Sequence, residues 1–155
     1  EKTRVISFGR YERENAKRQN RRAHTFDFLG FTHFCGTSRR GKFIVGRRTS
    51  RKKFRVKCKE LNLWLKRVRN LRPAKEWWPI LAAKLRGHYQ YYGVSGNMPS
   101  VQRFYREAVR LTLKWLNRRS QRCSFNWKGF YAYLKHYPLP KPRIVHSLYT
   151  LSPVK

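Results

Sequence analysis

The chain has 155 residues, 38 Lys+Arg against 7 Asp+Glu, and a formal net charge of +31 at pH 7. That length allows one ordinary domain or two very small ones, and 5 Trp, 9 Tyr and 10 Phe argue against a disordered basic tail. Charge of this density repels itself unless a polyanion relieves it, so nucleic acid is the first partner expected, ahead of an anionic membrane surface or an acidic protein.

No uncharged apolar run is long enough to cross a membrane, and the first residues lack the apolar core of a secretory signal. Cys35, Cys58 and Cys123 are odd in number and widely spaced, which suggests neither a disulfide framework nor a zinc knuckle and fits a reducing compartment. Met98 is the only methionine and the chain opens on Glu1, so a piece of a longer protein, or a processed product, is expected. The excess charge is spread evenly, +9, +11 and +11 over residues 1–50, 51–100 and 101–155. The basic surface is therefore the surface of the folded part, not a tail.

The fold class expected is mainly α with a small β element. Thr3–Phe8 alternates and predicts a strand that ends at Gly9. Residues 10–22 predict a solvated excursion or short exposed helix. Thr25–Phe34, rich in aromatics, predicts a strand, with turn residues from Thr37 to Gly41 and a return strand over Lys42–Val45, hence a β-hairpin. From Thr49 the period turns helical. Phe54, Cys58, Leu61, Leu65 and Val68 form one stripe over about Arg51–Asn70, with Thr49 or Ser50 as cap. Pro73 opens a second helix with the stripe Trp78, Leu81, Leu85, His88/Tyr89 and Tyr92, which Gly93 stops. A third helix, about Ser100–Asn117, aligns Val101, Phe104/Tyr105, Ala108, Leu111 and Trp115. Trp127, Phe130/Tyr131 and Leu134 suggest a short fourth, after which Pro138, Pro140 and Pro142 keep the chain extended.

Catalytic chemistry is sparse. Two-metal phosphoryl transfer needs clustered carboxylates, whereas Glu12, Glu14, Asp27, Glu60, Glu76 and Glu107 are scattered over separate elements. His33 and Cys35 share one side of a strand without further ligands, so packing is favoured over zinc. No self-contained active site and no metal site is expected.

Binding chemistry is dense. Arg47, Arg48, Arg51, Lys52 and Lys53 crowd a helix start, where cations oppose the helix dipole and nothing acidic balances them. Phosphate contact is the favoured role. Arg55, Lys59, Lys66 and Arg69 continue along the same helix, and Arg118, Arg119, Arg122, Lys128, Lys141 and Arg143 extend the basic face. Gly87, within a helix, suggests close approach of another backbone, protein or nucleic acid. Tyr89 and Tyr92 belong with the core stripe, while Arg86 and Tyr91 point elsewhere and are candidates for contact with a sugar-phosphate backbone or an unstacked base.

Several segments, in order, resemble one family. Phe26-Asp27-Phe28-Leu29-Gly30-Phe31 resembles the last block of the polymerase part of group II intron reverse transcriptases, and Glu1-Lys2-Thr3-Arg4 resembles the strand just upstream of it. Arg86-Gly87 through Gly96-Asn97, within Trp78–Asn97, resembles the maturase-specific region, also called domain X or the thumb. Trp127–Leu134 and Pro142-Arg143-Ile144-Val145-His146 resemble the C-terminal extension of bacterial members.

The resemblance implies a palm end with its hairpin over 1–48, a three-helix thumb over 49–120 and an extension over 121–155. It also implies that Phe28, Leu29, Gly30 and Phe31 support the primer. The partners implied are group II intron RNA, a template–primer duplex, and an upstream palm/fingers fragment, with no membrane. The family's Mg-binding carboxylates, a Tyr-Ala-Asp-Asp turn and an earlier Asp, are absent, so no cofactor and no DNA synthesis by this chain alone are expected. A bacterial cytoplasm is the setting implied, with an organelle as the other. Two alternatives stay open: a free-standing basic RNA-binding protein, and a split fragment that completes a reverse transcriptase in trans.

Overall fold

A computed structural model describes residues 5–38, 40–119 and 124–147. The chain is mainly helical with one small antiparallel sheet, and it divides into two compact units, residues 1–51 and 52–155.

In the first unit, α1 (Glu12–Arg18) precedes a three-stranded meander of β1 (Thr25–Phe28), β2 (Phe31–Thr37) and β3 (Phe43–Thr49) in the order β1-β2-β3. The single strand expected over Thr25–Phe34 is thus two, folded back at Leu29-Gly30. Phe28 pairs with Phe31, and the two residues between them have φ of 47° and 82°. Positive φ at both central positions makes this a two-residue type I′ turn, whose twist matches that of the flanking strands. The turn supplied by Ser38–Lys42 then returns the chain as β3, with Phe34 opposite Gly46.

The strand expected over Thr3–Phe8 is not formed at residues 5–8, and its first two residues lie outside the described ones. Alternation makes a strand only where a partner satisfies its backbone. Here Phe8 instead packs edge-on against Phe26, with ring centroids 5.0 Å apart.

The charged excursion holds α1, and one of its carboxylates is buried. Glu12 Oε1 accepts from Arg21 Nη1 at 2.6 Å and from the His24 N–H at 3.0 Å. These bonds hold the Glu12 carboxyl down at about 2. Asp27 is likewise structural, accepting from the hydroxyl of its cross-strand partner Thr32 at 2.5 Å.

The second unit is built from α2 (Arg51–Leu71), α3 (Ala74–Tyr92), α4 (Met98–Asn117) and α5 (Trp127–His136). The stripes expected on α2, α3 and α4 form its core, whereas Trp127 and Tyr131 of the fourth are exposed. Leu61, Leu65, Leu81, Leu85, Tyr89, Val101, Phe104, Ala108 and Leu111 are all buried. Phe54 meets Phe104 edge-on, Trp115 Nε1 donates to Asn62 Oδ1 at 2.9 Å, and Arg69 Nη1 donates to the Arg118 carbonyl at 2.7 Å. Start meets start and end meets end, so α2 and α4 run parallel. α3 runs back along them, with Trp77 against Trp64 and His88 stacked on Phe104.

The last segment is an integral layer. Asn117 and the Phe125 backbone exchange two hydrogen bonds, at 2.7 and 2.9 Å, which fix the entry to α5. Asn126 caps α5 by accepting from the Gly129 N–H. Phe130 is fully buried, and Trp78 meets Tyr133 edge-on. Beyond α5 the proline-rich chain stays extended, and its Pro140 carbonyl accepts from the Tyr89 hydroxyl at 2.9 Å. The Val145 and His146 N–H groups both donate to the Gly93 carbonyl.

This strap explains Gly93. Its φ is −78°, so it does not end α3 through the left-handed conformation that helix-stopping glycines usually adopt. A Cβ there would collide with the Tyr89 carbonyl and lie 2.7 Å from the Arg143 carbonyl. Among the described residues, no other backbone of this chain comes close to Gly87, where a Cβ would meet nothing within 4 Å; the close approach within the chain is at Gly93.

Candidate nucleic-acid interface

The basic residues do not form one patch in the way their sequence spacing suggests. Arg47 and Arg48 are neighbours on β3, so their side chains leave opposite faces of the sheet. Arg48 lies over the Phe34 ring at 5.7 Å. At 3.6 residues per turn, Arg51, Lys52 and Lys53 splay around more than half the circumference of α2. Its first turn contains no acidic residue.

The same periodicity gathers a different set. Arg51, Lys52, Arg55, Lys59, Lys66 and Arg69 fall within about a third of the α2 circumference, and all but the half-buried Arg69 are exposed. Arg69 is already engaged, with its guanidinium 4.6 Å from the Trp115 ring and bonded to the Arg118 carbonyl. It ties the ends of α2 and α4 together.

Four cations that spacing along the sequence did not single out complete this surface. Arg103, Arg106, Arg110 and Lys114 recur at spacings of three and four along α4, and so occupy one flank of it. That flank adjoins the α2 row. Arg103 lies over Phe54 at 4.8 Å, and the partly buried Cys58 of α2 has its thiol pushed up to about 11 by burial, with Glu107 adding to the rise. Glu107 accepts from Arg110 at 2.6 Å and is held below the usual carboxylate range chiefly by that bond, with Arg103 and Lys114 adding to it. One carboxylate therefore serves a seam lined by two rows of cations. Like charges three and four residues apart repel, and an anionic ligand laid along the seam would remove that cost.

The other expected residues are more dispersed. Arg86 and Tyr91 are both exposed but leave α3 on different sides, five residues being about 140° of helical turn. They do not form one site. Arg118 and Arg119 follow the end of α4, Lys128 lies on the exposed side of α5, and Lys141 and Arg143 are exposed on the strap. Arg122 lies outside the described residues. Phe28 and Leu29 stand 59% and 67% exposed at the hairpin, with Gly30 and Phe31 partly covered.

Among the described residues, no three His, Cys, Asp or Glu side chains lie together where they could hold a metal ion, and no helix is long and apolar enough to cross a membrane. His88 is a core group, 8% exposed and stacked 3.7 Å from Phe104. Burial and then the Lys57 charge push its pKa down to about 4. Comparison with protein-family models, with curated proteins and with solved structures returns no match.

Proposed function

We propose that this chain is an RNA-binding module, the maturase or thumb portion of a group II intron reverse transcriptase. In this role it grips intron RNA or a template–primer duplex and assists splicing without supplying the polymerase centre. The observation that carries the reading is the paired cationic rows of α2 and α4, with only Glu107 among them. Dense Arg/Lys surfaces of this kind meet phosphate backbones. Support for the family comes from the order of segments, the Phe-Asp-Phe-Leu-Gly-Phe hairpin first and a helical bundle after it.

In this role the chain contributes positioning. The α2–α4 seam neutralises phosphates, and the hairpin tip offers Phe28 and Leu29 to the primer side of a duplex. Phosphate contacts fix register and carry no sequence information, so preference for intron RNA would come from its folded shape.

The test is binding to a group II intron transcript and to an unrelated structured RNA of equal length, across a salt series. With about 6–10 phosphates contacted, affinity should fall roughly 10³–10⁵-fold between 50 and 200 mM salt, and the intron should bind more tightly. A flat salt response would remove the phosphate contacts. Equal affinity for both RNAs would favour the free-standing basic RNA-binding protein. Replacing Arg51, Lys52 and Lys53 with Ala should weaken both RNAs alike, because such contacts are indifferent to sequence.

A further inference from the structure

The exposed side of α5 carries a feature that the basic rows do not explain. Trp127 and Tyr131, one turn apart, are 46% and 56% exposed, although each buries large apolar area wherever it can. Their rings are near-parallel, 29° apart in plane and 5.7 Å between centroids. The helix had a core to offer and used it for other residues, since Phe130 is fully buried and Tyr133 packs on Trp78. Lys128 and Lys135 flank the aromatic pair on the same exposed side.

From this juxtaposition we infer a stacking site for unpaired nucleobases, formed by Trp127 and Tyr131, with Lys128 and Lys135 receiving the adjoining phosphates. The inference deepens the RNA-binding reading and rests on it. Three points select single-stranded RNA as the occupant. Residues 108–155 contain no Asp or Glu at all, so α5 and the segments on either side of it in the chain carry only cationic charge, which suits a polyanion. A nucleic acid that meets both the rings and the lysines must present π faces beside phosphates. A duplex hides its base faces in its stack, whereas an unpaired strand exposes them. An anionic bilayer would also meet the charge, but interfacial helices insert a continuous apolar face. The exposed side of the 10-residue α5 offers this one pair with lysines beside it.

The experiment is equilibrium binding of the full chain, by fluorescence anisotropy, to four probes. They are a single-stranded RNA, a blunt RNA duplex of the same length, an abasic strand with the same number of phosphates, and phosphatidylserine vesicles. Trp127→Ala combined with Tyr131→Ala should weaken the single strand by about 5- to 100-fold, the effect expected when base–aromatic stacking is removed. The duplex and the abasic strand should be unaffected. Trp127→Phe with Tyr131→Phe should stay near wild type, because the rings remain. Lys128→Ala with Lys135→Ala should weaken all three nucleic-acid probes together.

Unchanged single-strand affinity in the double alanine variant would overturn the stacking site while leaving RNA binding intact. So would an equal loss on duplex and abasic strand, which would mark a phosphate or folding effect. A loss confined to the vesicles would reassign the pair to a membrane surface. Failure of the wild-type chain to bind any of the three nucleic acids would instead bring down the RNA-binding reading itself.

Discussion

His88 and Glu12 show how burial turns single side chains into pH-dependent parts of the fold. The His88 pKa falls from 6.5 to about 4 on folding, so between those values the unfolded chain takes up a proton that the folded chain refuses. Stability is therefore complete above pH 6.5 and declines as pH falls towards 4, by about 3 kcal/mol in all. His88→Phe should flatten that limb of a Tm-against-pH curve while keeping a ring against Phe104. Glu12 acts at lower pH. Its carboxyl drops from 4.5 to about 2 on folding, so its contribution is present above 4.5 and is lost as pH falls towards 2. Glycines matter here where they are covered. The Phe34 ring lies directly over Gly46, and a Cβ there would come within 2.9 Å of Phe34 Cδ2 and closer still to the ring edge. Gly46→Ala should destabilise by about 1–3 kcal/mol in denaturant unfolding, the usual cost of overpacking.

The elements most relevant to function carry tension of their own. Leu29 occupies a left-handed position, φ 47°, which costs a β-carbon residue roughly 1–2 kcal/mol, yet its side chain is two-thirds exposed. A turn selected for stability alone would favour Asn there. Leu29→Asn should raise Tm and at the same time weaken binding to a template–primer duplex if the tip supports the primer. A raised Tm with unchanged duplex affinity would make Leu29 incidental to binding. On α4, replacing Arg106, Arg110 and Lys114 with Ala should weaken RNA about as much as replacing Arg55, Lys59 and Lys66 on α2. Each set should also reduce the salt slope by about one for every phosphate it no longer neutralises. A normal slope in the α4 variant would confine the interface to α2.

Across the whole molecule, the two units differ in what holds them. Residues 52–155 contain nearly all of the buried apolar set, from Leu61 to Leu139, whereas in residues 1–51 only Ala16 and Cys35 belong to it among the described residues. A small sheet without a sizeable core is marginal in water. A fragment spanning residues 49–155 should therefore melt cooperatively in circular dichroism, while residues 1–51 alone should not. The helical part was legible in the sequence because three stripes at helical spacing specify which faces go inward, and Leu65, Leu81, Leu85 and Val101 are buried as their spacing requires, whereas of the fourth stripe only Phe130 is buried. The β part was less legible. Leu29-Gly30 sits within an unbroken run of strand-forming aromatics, and only the pairing of Phe28 with Phe31 reveals the turn.

The sequence by itself determined the class of partner to expect, the helical bundle and the outward distribution of charge, because net charge and periodicity are properties that the chain carries along its length. It could not determine which cations share a surface. Arg47 and Arg48, adjacent in the chain, part across a sheet, whereas Arg55 and Arg110, far apart in it, line one seam because α2 and α4 pack in parallel. Nor could it distinguish the glycine that admits a backbone from the one that faces open space. At Gly93 that is decided by the Arg143 carbonyl, brought there by a strap fifty residues later in the chain.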